Sequence, residues 1–149
     1  LGWNFRLTDI QAALGIEQLN RLSSSIAKRH RVAERYKRLL SEDPFAKWIE
    51  LPDVDPGHAL HLYVIRFKQA NLRDPAYRYL KERGIITQVH YIPLYHHPFH
   101  KGLNKPEDFP GAEAYFQDCL SIPMYPNLTN GDQDKVVEEL AGFLSQNGL

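Results

Sequence analysis

From Thr8 to about Leu40, apolar residues recur at helical spacing: Ile10, Ala13, Leu14, Leu19, Leu22, Ile26, Val32, Tyr36, Leu39 and Leu40. The run is longer than a typical globular helix, so the rest of the chain has to be built around one long helix or two in tandem. Thr8 and Gln11 have the spacing of a capping box, in which each side chain satisfies an orphan donor of the first turn. Ser23-Ser24-Ser25 marks the expected kink or restart, because serine competes for local backbone bonds. Lys28, Arg29, Arg31, Arg35, Lys37 and Arg38 make the second half basic. Interleaved aromatics are missing there, which favours a solvated helix face over a nucleic-acid surface.

Downstream the periodicity changes. Asp53-Val54-Asp55-Pro56-Gly57 reads as a turn, and Leu60 to Phe67 as a strand. Its alternation sets His61, Tyr63, Ile65 and Phe67 on one face and Leu62, Val64 and Arg66 on the other. Asp74-Pro75 supplies an N-cap and first-turn proline, and Gly84 stands where a helix ends. A second strand is expected from Ile85 to about Tyr91, then a long connection broken by Pro93, Pro98, Pro106 and Pro110. A short helix around Ala112–Asp118, a third strand near Leu120–Met124 and a last helix capped by Thr129 or Asp132 complete the chain. This order implies an α/β fold of the two-layer α+β kind: a small sheet of about three strands, helices on one face, and a long helix in front. The third strand is expected between the first two, antiparallel to both.

The 149 residues, 43% of them hydrophobic, suffice for one ordinary core, so 1–149 reads as a single domain. Within it, 1–41 forms the long helix region and 58–149 a small α/β subdomain. Lys+Arg and Asp+Glu balance at 18 each, leaving no long-range field for nucleic acid or an anionic membrane. Cys119 is the only cysteine, which fits a reducing compartment. No apolar run approaches the length of a membrane span and no signal peptide opens the chain, so a cytoplasmic location is expected. The chain begins at Leu1 directly before a loop-helix junction and reads as the interior of a longer polypeptide.

Two segments carry candidate chemistry. Asn4 and Arg6 are alternate residues of the loop that enters the helix at Thr8. A helix N-terminus with a nearby amide and guanidinium suits a phosphate or carboxylate, and a capped helix behind a solvated arginine is the alternative. The second segment is Thr87-Gln88-Val89-His90-Tyr91-Ile92-Pro93-Leu94-Tyr95-His96-His97-Pro98-Phe99-His100. Four histidines in eleven residues invite a metal, but Pro93 and Pro98 prevent the helix that would align them, and no carboxylate completes a set. No metal site is expected. His90 and Tyr91, at a strand end, can stack on or bond to a polar ring such as a sugar or base. Alternatively, Tyr91, Tyr95 and Phe99 pack under the long loop as a satellite cluster. Dinucleotide, P-loop and nucleophile-elbow signatures are all absent.

The stretch from Gly2-Trp3-Asn4-Phe5-Arg6-Leu7-Thr8 through Gly15, with Gln18-Leu19, resembles the glycine-aromatic-asparagine-x-arginine signature of the DegT/DnrJ/EryC1/StrS sugar aminotransferases. Gly84-Ile85-Ile86-Thr87-Gln88-Val89-His90-Tyr91-Ile92-Pro93 is similar to their second signature, and Ile122-Pro123-Met124-Tyr125-Pro126 to their C-terminal end. The subgroup most resembled aminates UDP-linked 4-keto-6-deoxyhexoses in pseudaminic-acid biosynthesis. Only the C-terminal portion of such an enzyme is resembled, so the small sheet corresponds to the C-terminal domain of fold-type I aminotransferases.

The resemblance implies a pyridoxal 5'-phosphate enzyme in which an internal lysine holds the cofactor as a Schiff base. Glutamate is the expected amino donor and a nucleotide-linked ketosugar the acceptor. That lysine and the aspartate at the pyridinium nitrogen lie upstream of the first signature in the family. By resemblance, this chain therefore holds no catalytic residue and does not transaminate by itself. Asn4 is expected to reach the cofactor phosphate of the other subunit of a homodimer, and Arg6 the substrate diphosphate. Gln88, Val89, His90 and Tyr91 are the expected nucleotide-sugar contacts. Trp3 stands where tyrosine or phenylalanine is usual. The competing class is a non-catalytic sugar- or nucleotide-binding module, without nucleic-acid or membrane partners.

Overall fold

The computed structural model describes residues 3, 5–100, 102 and 105–148. Helix α1 runs Asp9–Leu40 as a single element of 32 residues. Its capping box forms as expected: the Thr8 hydroxyl accepts from the Gln11 amide at 3.3 Å, and Gln11 Oε1 accepts from the Thr8 amide at 2.9 Å. The expected break at Ser23–Ser25 does not occur. Three serines weaken a helix by a few tenths of a kcal/mol each, too little against the cooperative ladder on either side.

The two halves of α1 have different surroundings. Ile10, Leu14, Leu19 and Leu22 are exposed, whereas Val32, Ala33, Tyr36 and Leu40 are buried. The buried half is docked by polar contacts as well. Arg29 Nη1 donates to the carbonyls of Leu60, His61 and Met124 at 3.0, 3.1 and 3.1 Å. Arg35 Nη2 meets Asp134 Oδ1 at 2.7 Å. The basic half is thus partly a docking face, not wholly a solvated one.

After the short helix α2 (Phe45–Trp48) come β1 (Ile49–Glu50), β2 (Tyr63–Phe67), α3 (Arg73–Glu82), α4 (Pro110–Asp118), β3 (Cys119–Ile122) and α5 (Asn130–Gln146). The sheet order is β1-β2-β3, antiparallel throughout, with Ile49 opposite Phe67, and Tyr63 opposite Ile122. Sequence periodicity misses β1 because two residues carry no period. The expected strand Ile85–Tyr91 shrinks to one antiparallel bridge between Gln88 and Ser121. Since β3 pairs with β2 on its other side, it lies between the two segments as expected, antiparallel to both.

Tyr63, Ile65 and Phe67 are buried and carry the core. The Tyr63 ring meets Tyr36 of α1 at 5.2 Å, and Phe67 meets Phe143 of α5 edge-on at 6.2 Å. On the outer face, Arg66 lies 3.4 Å from Glu50, 3.7 Å from Asp118 and 5.7 Å from the Tyr115 ring of α4.

Helix α3 starts at Arg73, one residue before the expected cap at Asp74. Its other end is as read: Gly84 has φ +76°, the Gly84 amide bonds Lys81 and the Ile85 amide bonds Leu80 at 2.9 Å. This closing motif directs Ile85 into the core against Leu80, both buried. It thereby launches the segment carrying Gln88–Tyr91. Helix α5 repeats the entry of α1, with Thr129 capping and Asp132 reciprocating. Among the described residues, no helix is long and apolar enough to cross a membrane.

Candidate functional site

The candidate segment begins where β3 offers its second edge. Gln88 and Ser121 exchange backbone hydrogen bonds at 3.1 and 2.8 Å, and regular pairing ends there. Thr87 is buried, Gln88 exposed, Val89 and His90 half-buried and Tyr91 exposed. His90 Nδ1 lies 2.8 Å from the Ser121 hydroxyl, and the Cys119 thiol points at the His90 carbonyl from 4.0 Å. The His90–Tyr91 peptide bond is cis. The Tyr91 ring, 68% exposed, stands edge-on to His90 with centroids 4.7 Å apart. An imidazole tied to the sheet beside an open phenol is a surface able to stack on a ring and donate a hydrogen bond to it.

A cavity of about 250 Å³ lies beside this segment, lined by Tyr77, Lys81, Ile86, Thr87 and Gln88. A larger concavity, about 440 Å³, opens on the outer sheet face around Arg66 and contains none of the expected contact residues.

Beyond Pro93 the chain makes one turn, Leu94–His96. Tyr95 donates to Glu113 Oε2 at 2.9 Å, and His96 Nε2 lies 2.9 Å from the same oxygen and 3.2 Å from Oε1. The Tyr95 ring stacks on Phe109, with centroids 5.4 Å apart and planes within 8°. The hydroxyl of Tyr95, and secondarily His96, hold the Glu113 carboxyl below its usual range, so it is ionised at neutral pH. Tyr95 does pack beneath the loop, but Tyr91 and Phe99 remain exposed. Glu113 is the residue that sequence reading missed, seventeen positions from His96 and without a motif to mark it.

The histidine-rich run is not arranged for a metal. His90 faces Ser121, His96 faces Glu113, and His97 Nε2 approaches the Ile92 carbonyl at 3.4 Å. Among the described residues, no three His, Cys, Asp or Glu side chains are grouped to hold an ion.

The first expected segment is only partly visible. Asn4 lies outside the described residues. Arg6 is exposed, and Trp3 and Phe5 on either side of Asn4 are also exposed, with rings 6.5 Å apart. All precede α1, whose first buried residue, Val32, is on the order of 35 Å further along the helix axis. Gln88–Tyr91 are contiguous at the β3 edge, whereas Arg6 belongs to the far end of the arm.

Residues 1–141 match the DegT/DnrJ/EryC1/StrS aminotransferase family, to which the chain belongs. It is 37% identical over 143 residues to the spore coat polysaccharide biosynthesis protein SpsC of Bacillus subtilis (strain 168), an alignment covering 92% of this chain and 36% of SpsC. Among solved structures it superposes on Helicobacter pylori PseC, an aminotransferase involved in pseudaminic-acid biosynthesis, with a TM-score of 0.86 at 27% identity. That match covers 98% of this chain and 40% of PseC. The sugar aminotransferase Spr1654 of Streptococcus pneumoniae in its PLP form, described as putative, also gives 0.86, at 26% identity over 95% of this chain and 36% of its own. The chain thus spans 36% of the curated relative it matches.

Proposed function

We propose that the chain acts as the C-terminal portion of a pyridoxal-phosphate-dependent sugar aminotransferase. The reaction is transfer of an amino group from glutamate to a UDP-linked 4-keto-6-deoxyhexose in a homodimer. Residues 1–41 serve as an interface arm and 58–149 as the small α/β subdomain. The observation carrying this reading is the extent of the match: 92% of the chain aligns with 36% of SpsC. The apolar residues exposed along the first half of α1 support it, since such a stripe needs a covering surface.

The described residues fit the cofactor in part. Arg6 is exposed just ahead of the positive end of a 32-residue helix, a polarity suited to phosphate. Three of the described lysines have other contacts: Lys28 bonds Asn127, Lys68 bonds the Ala46 carbonyl and Lys47 lies over Trp48. When bound, the cofactor carries the amino group and supplies an electron sink. Asn4 donates to its phosphate without adding charge, and Arg6 meets the substrate diphosphate through its planar fork. Gln88, Val89, His90 and Tyr91 hold and orient the nucleotide sugar. No residue of this chain is assigned the proton transfers.

The test is production of the protein from its complete reading frame, followed by cofactor absorbance and amination of a UDP-4-keto-6-deoxyhexose. An intact, folded protein that binds no pyridoxal phosphate sinks the proposal. Titration of the isolated 149 residues with UDP-sugars separates it from the binding-module reading. A shared site cut in two binds weakly, so submillimolar affinity of this chain alone favours a free-standing module.

A further inference from the structure

Tyr91 protrudes from a loop that the core does not hold. Its ring is 68% exposed, and Ile92, Leu94 and Phe99 around it are 51%, 67% and 88% exposed. Sheet pairing stops at Gln88. Burial and ladder bonds, the usual means of fixing a segment, are both missing here, so polar pins have to do it.

Two pins are present, and one unit of the fold provides both. Upstream, His90 is tied to Ser121 of β3 at 2.8 Å. Downstream, Tyr95 and His96 converge on Glu113 in the first turn of α4, both at 2.9 Å from Oε2. Helix α4 runs directly into β3, so Ser121 and Glu113 stand on one continuous stretch of chain. The loop from His90 to His96 spans that unit like a strap fastened at both ends. Two donors meeting one group require an acceptor, and an ionised carboxylate is the side chain that accepts from both without offering a competing proton. Phe109 under Tyr95 and Phe116 beside His96, at centroid distances of 5.4 and 5.8 Å, keep the pair facing Glu113.

We propose that Glu113 is a positioning residue for ketosugar binding: by fastening Tyr95 and His96 it fixes the loop after Tyr91 and sets where the Tyr91 ring meets the sugar nucleotide. This rests on the function proposed above for Gln88–Tyr91. Glu113 itself touches no substrate, and its influence passes through the population of loops in the binding conformation.

The test compares Glu113→Ala and Glu113→Gln in two settings. In the 149-residue chain, amide hydrogen exchange reads the strap directly. Glu113→Ala should accelerate exchange at His96 and His97, whose amides bond Pro93 and Leu94, while Gln88 and Ser121 stay protected. In the complete enzyme, KM for the ketosugar should rise about tenfold, with the glutamate half-reaction and kcat unchanged. Glu113→Gln keeps one acceptor oxygen and should recover most of both effects. Tyr95→Phe, which removes one of the two donors, should shift both readouts in the same direction as alanine and carries the test if the alanine variant fails to fold. Unchanged exchange at His96 and His97, or a KM that does not move when exchange does, overturns the inference. If the wild-type enzyme does not aminate a UDP-ketosugar at all, the proposed function fails instead, and exchange alone still decides whether Glu113 fastens the loop.

Discussion

Gln133, 1% exposed, donates from Nε2 to the carbonyl of Val32 at 2.9 Å, joining residues 101 positions apart. The bond reaches from the first turn of α5 into the last third of α1, where the carbonyl also serves its own helix. A buried amide with one good partner is worth keeping only while that partner stays in place.

Gln133→Met keeps the volume and removes the bond, so we expect a loss of about 1 kcal/mol in urea unfolding. Gln133→Ala adds a cavity and should cost about 2–3 kcal/mol. Equal losses for the two variants would show that the bond alone matters at this position, and no loss for Gln133→Met that packing alone does.

Arg29 offers one amino group to three carbonyls, those of Leu60, His61 and Met124. Leu60 sits at φ +51°, an unfavourable conformation for a side chain bearing Cβ, and this guanidinium holds its carbonyl. Arg29→Met should destabilise the chain by about 2–3 kcal/mol without changing the denaturant slope. Arg29→Lys should recover only part, because an ammonium lacks the planar fork. Thermal or urea midpoints check both.

Tyr36 and Tyr63 are fully buried with rings 5.2 Å apart, and neither hydroxyl has a hydrogen-bond partner among the described residues. Burial pushes both phenols far above their ordinary value of 10.0. The sign follows: their contribution is complete below the unfolded pKa and is lost as pH rises above it, since only the unfolded chain then ionises. Stability should therefore fall above about pH 10. Tyr63→Phe should flatten that alkaline limb and leave neutral-pH stability unchanged or up to about 1 kcal/mol higher. A large loss on Tyr63→Phe would reveal a partner for the hydroxyl.

Glu113 and Asp132 are both held below their ordinary values of 4.5 and 3.8, Glu113 chiefly by the Tyr95 hydroxyl and Asp132 chiefly by that of Thr129. Depressed carboxyls stabilise the fold above the unfolded pKa, and the effect disappears as pH falls through the native one. We expect stability to hold down to about pH 5 and decline below about pH 4. Thr129→Val should shallow that acid limb, measured as the slope of the unfolding free energy against pH.

Much of this fold was legible because its signals are local. Thr8 and Gln11, Thr129 and Asp132, and Gly84 each announce a helix end by chemistry confined to a few residues. The Tyr63-Ile65-Phe67 alternation likewise gave the buried face of β2. The failures were long-range. Ser23–Ser25 gave a correct local preference that an intact helix overrides. The strand expected from Ile85 to Tyr91 met only one backbone partner, because β3 pairs with it at Ser121 alone. At the candidate site, His90 and Tyr91 stood out as residue types at a strand end, but Glu113 did not. Its role exists only once α4 is set beside the Leu94–His96 turn, a juxtaposition that no spacing encodes.

Helix α1 behaves mechanically as a lever. Its buried base, from Val32 to Leu40, is gripped by Arg35 and Gln133, while the loop bearing Arg6 rides at the free end. With a throw of on the order of 35 Å, a tilt of roughly five degrees at the base displaces the tip by about 3 Å. That is the width of a hydrogen bond. Positional accuracy at the tip is thus set by packing at the opposite end of the rod, and substitutions at the base are felt as errors of aim.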